Sequence, residues 1–247
     1  MATRNEILQQ LNQWLTPDDF QDYCPNGLQV EGRSEIRRIV TGVTASQALL
    51  DQAVADGADM VLVHHGYFWK GEPQPVTGMK RNRLKTLLDN DLNLVAFHLP
   101  LDDHPEYGNN RQLADVLGIQ NPRPLAGLLW QGELGEPMSA QEFVAHISER
   151  LHRPSLHVGD GPDKIRRVAW CTGAAQGYID KAVAAGLDAY ISGEISEPTT
   201  HTARECGIHY FASGHHATER YGVQALGRAL AEKFGVEHRF IDCDNPV

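Results

Sequence analysis

Two thirty-residue stretches of this chain are variants of one another. RRIVTGVTASQALLDQAVADGADMVLVHHG runs from Arg37 to Gly66, and RRVAWCTGAAQGYIDKAVAAGLDAYISGEI runs from Arg166 to Ile195. At a constant offset of 129, Arg37, Arg38, Asp51, Ala53, Val54, Gly57 and Asp59 meet Arg166, Arg167, Asp180, Ala182, Val183, Gly186 and Asp188. Both copies read strand, turn, helix, glycine, strand. The glycine belongs at the helix C-terminus, where a left-handed backbone costs a glycine least. A pattern of this kind, met twice, restricts the chain to an α/β fold with largely parallel pairing at each core.

The correspondence extends outward. Thr3-Arg4-Asn5-Glu6 and Ser139-Ala140-Gln141-Glu142 each open an amphipathic helix with a capping-box pattern. LQVEG (Leu28 to Gly32) resembles LHVGD (Leu156 to Asp160), and VAFHLPLDDH takes the place of ASGHHATER, each followed by a helical pattern. The expectation is two related α/β halves arising by internal duplication, residues 1–124 and 125–247, together forming one compact unit. Ligands of such sheets collect beyond the carboxyl ends of strands, so the strand ends of the two halves can face a common metal cleft.

The paired histidines fall at those ends. His64 and His65 close an apolar run, and His98 and His215 follow two others. Adjacent residues within a strand point to opposite faces, so His64 and His65 converge only where the strand runs out into Gly66. His98 stands four residues before Asp102, and His215 four before Glu219. On a helical turn, four-residue spacing puts both side chains on one face. A helical turn suits His215 and Glu219, whereas Pro100 points to a tight loop between His98 and Asp102. The candidate set is His64, His65, His98, Asp102, His215 and Glu219. Imidazole and carboxylate donors without cysteine suit zinc, iron, manganese, cobalt or nickel. The set exceeds the need of one catalytic ion and fits a pair; the alternative is a metal-free acid/base network.

Composition narrows the setting. The formal net charge is −10, which argues against a broad nucleic-acid surface and against binding to an anionic membrane. Lys80, Arg81, Arg83 and Lys85 make one local basic cluster, read as a solvated helix start. The first residues are polar and amphipathic, unlike a signal peptide, and no stretch approaches the roughly 18 apolar residues of a membrane span. Cys24, Cys171, Cys206 and Cys243 are widely spaced, as for reduced thiols in a cytoplasmic protein.

PNGLQVEG (Pro25 to Gly32), HHGYF (His64 to Phe68), HLPLD (His98 to Asp102) and GHHATE (Gly214 to Glu219) together resemble the GTP cyclohydrolase I type 2 homologue family, the NIF-three-like proteins. The likeness covers essentially the whole chain, with Gly66 standing where the family commonly has proline. The resemblance implies a dinuclear metal centre with His64, His65, Asp102, His215 and Glu219 as ligands. Glu219 would bridge the two ions, with His65 and Asp102 on one and His64 and His215 on the other. It also implies a toroidal homohexamer and, from the family's name, hydrolysis of a nucleotide-like substrate.

His98 is read as a partner that orients a ligand or moves a proton. Glu194, aligned with His65, is read as a cleft residue with the same capacity or as a neighbour of a helix N-terminus. Asn26-Gly27 reads as a turn near the site. Tyr67, Phe68, Trp69 and Lys70 form an aromatic-basic loop able to stack a base and hold a phosphate. His104, His201 and His216 read as surface or capping histidines. No P-loop, G-x-G-x-x-G or G-x-S-x-G occurs. Two readings of function follow: a dinuclear metal-dependent hydrolase, or a non-enzymatic ring-shaped adaptor or metal-handling protein.

Overall fold

The structure, a computed structural model, describes residues 2–247. By its contacts the chain divides into two compact α/β units. The first comprises the segment up to Gly108 together with Gly222–Cys243, and the second Asn109–Tyr221 with Asp244–Val247. The expected boundary at residue 124 falls inside a strand of the second unit, Gln120–Ala126.

In the first unit a five-stranded sheet runs in the order Glu237–Phe240, Arg38–Thr44, Met60–His65, Asn93–Ala96, Gly27–Val30. The first four strands are parallel, and Gly27–Val30 is an antiparallel edge. Strand residues alternate between two apolar layers, as the two-residue side-chain period requires. Ile39, Met60, Leu62 and Val95 pack with Leu11, Leu226 and Leu230. Val40, Val61, Val63 and Leu94 pack with Leu49, Leu50 and Leu87. Helices Arg4–Leu15 and His215–Phe234 thus supply side chains to one face, and Gln47–Ala55 and Gly78–Asp89 to the other. Burial on both faces is why these strands read as apolar runs and not as alternating ones.

The second unit repeats the plan. Ile165–Cys171, Ala189–Ser192 and His209–Ala212 are parallel, and Leu156–Val158 is the antiparallel edge. Leu129–Met138 and Gln120–Ala126 extend the other side, giving six strands.

The repeated residues do the same work in both units. Asp59 Oδ2 accepts the backbone N–H groups of Arg37 and Arg38 at 2.7 and 3.0 Å, and Asp188 Oδ2 accepts those of Arg166 and Arg167 at 3.0 and 2.7 Å. Each aspartate pins the start of the first strand beside the start of the second. Gly57 and Gly186 have φ of 66° and 65°. They close identical C-terminal motifs: Ala58 N bonds Ala53 O and Gly57 N bonds Val54 O, while Leu187 N bonds Ala182 O and Gly186 N bonds Val183 O. Thr3 with Glu6 and Ser139 with Glu142 form capping boxes as expected.

One local expectation is corrected. Leu99–Asp103 is a short helix with His98 as its N-cap residue. Pro100 lies in its first turn, where no intrahelical N–H bond is required, so proline is tolerated there. No helix among the described residues is long and apolar enough to cross a membrane.

Candidate metal centre

Every singled-out donor stands at or just beyond the carboxyl end of a strand. His64 and His65 are the last two residues of Met60–His65. His98 follows Asn93–Ala96 by two residues, Glu194 follows Ala189–Ser192 by two, and His215 follows His209–Ala212 by three. Asp102 and Glu219 are then carried one helical turn onward, on Leu99–Asp103 and His215–Phe234.

In the first unit the rings of His64 and His65 converge, with centroids 4.5 Å apart, and His98 lies 5.1 and 5.7 Å from them. One nitrogen from each of the three lies within 4.8 Å of the others. Asp102 joins them, its Oδ1 3.5 Å from His64 Nε2. In the second unit His215 lies between two carboxylates: Nδ1 is 2.8 Å from Glu194 Oε1, and Nε2 is 3.0 Å from Glu219 Oε2.

The four rings share one orientation. His64 Nδ1 lies 2.9 Å from Phe97 O, His65 Nδ1 3.1 Å from Thr44 Oγ1, His98 Nδ1 2.7 Å from Asp22 Oδ1, and His215 Nδ1 2.8 Å from Glu194 Oε1. A carbonyl or carboxylate only accepts, so Nδ1 of His64, His98 and His215 carries the proton. In the neutral form of His64 and His98 that places the lone pair on Nε2. A buried ring whose Nε2 lone pair faces a carboxylate, as His64 faces Asp102, is an arrangement that calls for positive charge. Anchoring one imidazole nitrogen on the protein while presenting the other is how ligating histidines are held. The donor set fits divalent transition metals on this ground.

The His215 environment favours a cation in the same way. Burial opposes its charge, but the hydrogen bond and charge of Glu219, followed by those of Glu194, raise its pKa to about 9. Gly173 makes room for this group. A β-carbon there would meet Glu219 Oε1 at 2.0 Å and His215 Nε2 at 3.2 Å. Sequence reasoning passed over Gly173, because the requirement for it is a contact with residues more than forty positions away.

Asp22 was missed as well. Its side chain is 4% exposed, and it accepts from His98 Nδ1 and Tyr23 N at Oδ1 and from Asn26 Nδ2 and Leu99 N at Oδ2. Burial would raise its pKa, but the hydrogen bonds of His98, Asn26 and Tyr23 win and hold it at about 2. Cys24 lies in the same cluster. Burial, reinforced by the Asp22 charge, pushes its thiol up to about 12, which leaves it a neutral group. Asp22, Cys24 and Asn26 also line a cavity of about 670 Å³, with Asn12, Asp18 and Asp19 among its other walls.

The aromatic loop divides. Tyr67 is buried and donates from its hydroxyl to Ala45 O at 2.7 Å, so it packs the core and is not available to stack a base. Trp69 stands edge-on to His98, with centroids 5.0 Å apart, and Phe68 is exposed beneath Lys80 Nζ. His104 accepts from Tyr107 N, and His201 pairs with Glu197 on the surface. His216, expected at the surface or as a cap, is buried in the first turn of the helix His215–Phe234, which excludes the surface alternative.

The strand-end donors of this α/β chain form candidate metal-binding groups, and comparison with known proteins supplies the family. Residues 2–246 match the family described as Duf34/NIF3 (NGG1p interacting factor 3), and the chain belongs to that family. A Pseudomonas aeruginosa protein described as "GTP cyclohydrolase 1 type 2 homolog" is 59% identical over 246 residues, 98% of this chain and 97% of the relative. An Escherichia coli K12 protein of the same description is 55% identical over 243 residues, 98% of each. Among solved structures, protein ybgI, described as of unknown function, superposes with a TM-score of 0.97 at 54% identity over all of both chains. TTHA1606 from Thermus thermophilus gives 0.93 at 32% identity, again over both whole chains.

Proposed function

We propose that His64, His65 and Asp102, together with His215 and Glu219, hold two divalent ions, and that the protein is a metal-dependent hydrolase of a nucleotide-like substrate. The observation that carries this reading is the shared orientation of the rings: Nδ1 of His64, His98 and His215 is held by the scaffold, and Nε2 of His64 and of His215 lies toward Asp102 and Glu219. Family membership supports it, and the relatives' description suggests the substrate class. The metal is zinc, iron, manganese, cobalt or nickel. In this reading Glu219 would help to hold both ions.

Bound divalent ions would supply Lewis acidity and bring the ionisation of a water near neutral pH. The chain's own residues do the rest. Glu194 holds the proton on His215 Nδ1 and fixes that ring. Asp102, on the first turn after His98, presents its carboxylate to His64. His98 Nε2 accepts and returns a proton. Trp69 covers the His98 ring and limits water around it. We further propose that the two units arose by duplication, on the strength of the shared Asp59 and Asp188 anchors, and that the chain assembles as a homohexamer. Val76, Met79 and Leu88 stand exposed in and beside the helix Gly78–Asp89, which buries only Leu87, as a self-associating surface would have them.

The test is a turnover screen of the metal-loaded protein against nucleotides and phosphoesters. Hydrolysis that is lost in Asp102→Ala supports the enzyme. Metal-loaded protein that turns over none of them, or activity that persists in metal-stripped protein, leaves the non-enzymatic adaptor as the better account.

A further inference from the structure

We infer that Asp22 is the positioning residue of His98: it fixes the ring with the proton on Nδ1 and the Nε2 lone pair toward the His64 and His65 rings. The functional half of this inference rests on the metal-centre reading above; the geometric half does not.

Three bonds join the loop Asp22–Asn26 to the two residues that open the helix Leu99–Asp103. Asn26 Oδ1 accepts His98 N–H at 2.8 Å, Asp22 Oδ1 accepts His98 Nδ1–H at 2.7 Å, and Asp22 Oδ2 accepts Leu99 N–H at 3.0 Å. A fourth, from Asn26 Nδ2 to Asp22 Oδ2 at 2.9 Å, ties the two clamping side chains to each other. Asp22 therefore does two jobs with one carboxylate. It satisfies a backbone N–H at the helix start that has no intrahelical partner, and it sets both the angle and the tautomer of the ring. His98 makes no side-chain cap of its own helix, because the ring is turned to Asp22 instead. Trp69 against the ring, with planes 81° apart, blocks swinging on that side.

The carboxylate is irreplaceable for the tautomer, and the hydrogen-bond inventory gives the reason. An aspartate accepts at both oxygens, whereas an asparagine accepts at one and donates at the other. In Asp22→Asn the amide NH₂ must take one of two places. At the Oδ2 position it would oppose two donors, Leu99 N and Asn26 Nδ2. At the Oδ1 position it would oppose Tyr23 N and the His98 ring. Leu99 N and Tyr23 N are backbone donors, and a flip of the Asn26 amide would set its NH₂ against His98 N–H, so the imidazole is the partner that can change from donor to acceptor without losing another bond. The amide therefore settles facing His98, and the ring responds by moving its proton to Nε2. That shift removes the lone pair from the side where one nitrogen of His98 lies within 4.8 Å of nitrogens of His64 and His65. The substitution is nearly isosteric and keeps the ring in place, so it changes the tautomer without removing the side chain.

The experiment is long-range proton–nitrogen correlation of the histidine rings in metal-free, ¹⁵N-labelled protein, at a pH where His98 is neutral. His98→Gln assigns the His98 signals by their loss. The expected result is a protonated Nδ1 and bare Nε2 in the wild type, and the reverse in Asp22→Asn. A wild-type ring protonated on Nε2, or the same tautomer in both proteins, overturns the inference. The wild-type spectrum alone decides the point if Asp22→Asn fails to fold. Zinc affinity, measured by competition with a chelator, and turnover by the zinc-loaded protein together supply the functional readout. Disturbing an outer partner of a metal centre costs roughly 10- to 100-fold in metal affinity or activity; because His98 carries a proton and is not a proposed ligand, the loss expected in Asp22→Asn is in turnover, with zinc affinity close to wild type and recovery of turnover in Asp22→Glu. A switched tautomer with unchanged zinc affinity and unchanged turnover would overturn the functional half. Wild-type protein that binds no zinc would instead overturn the metal-centre reading, and the ring spectrum would still decide the role of Asp22.

Discussion

Gly173 has a φ of +67°, and a β-carbon on it would collide with the Glu219 carboxylate at 2.0 Å. Gly186 has nearly the same φ, +65°, but open space around it. The pair separates two costs. Gly186→Ala is expected to lose about 1–2 kcal/mol of stability from left-handed backbone alone, with zinc binding retained. Gly173→Ala is expected to lose as much stability and also at least about tenfold in zinc affinity, although no proposed ligand is itself substituted. Urea midpoints and chelator competition on the two variants check this; equal zinc affinity in both would contradict it. Asp22 makes a pH prediction. Its native carboxylate stays ionised down to about pH 2, while the unfolded one takes up its proton near pH 4. The stability it contributes, about 2 kcal/mol, is complete above about pH 5 and is lost as pH falls through 2. Asp22→Asn should therefore be less stable than wild type at pH 7, and the difference should shrink steadily below pH 4 in urea titrations.

The repeated strand–helix–strand elements were legible because their determinants are local and of fixed type. An aspartate at the mouth of the second strand and a glycine after the helix do the same work at positions 129 residues apart. Asp59→Ala and Asp188→Ala should each cost about 1–3 kcal/mol, because each strips acceptors from two strand N–H groups. Unequal losses, with one near zero, would show in urea titration and deny the two anchors a common role. The donor-bearing segments were legible for a similar reason, since apolar runs ending in histidine mark strand ends. Where sequence reasoning failed, the deciding contact was distant or the rule was positional. Asp22 meets His98 across 76 positions and carries no periodic signal. Pro100 suggested a loop, although in a first turn proline is compatible with helix. Tyr67 sits in an aromatic-basic string that reads as exposed, yet its hydroxyl reaches Ala45 O inside the core.

At the level of the molecule, the compact units do not follow the order of the repeat. The first unit takes back Gly222–Cys243, whose Glu237–Phe240 pairs in parallel with Arg38–Thr44. No local residue pattern announces such a return, because one strand's register on another is set by packing of the whole sheet. Assembly belongs to this level too. Light scattering coupled to size exclusion is expected to give about six times the 27.4 kDa chain mass; a monomer across micromolar concentrations would contradict the hexamer. Two ions held by donors on separate strand ends would show in the metal content of the protein. Elemental analysis of protein reconstituted with zinc, manganese or iron and freed of excess metal should find about two ions per chain. Glu219→Ala should lose most of both. One ion or none in the wild type, under all three metals, would contradict the account.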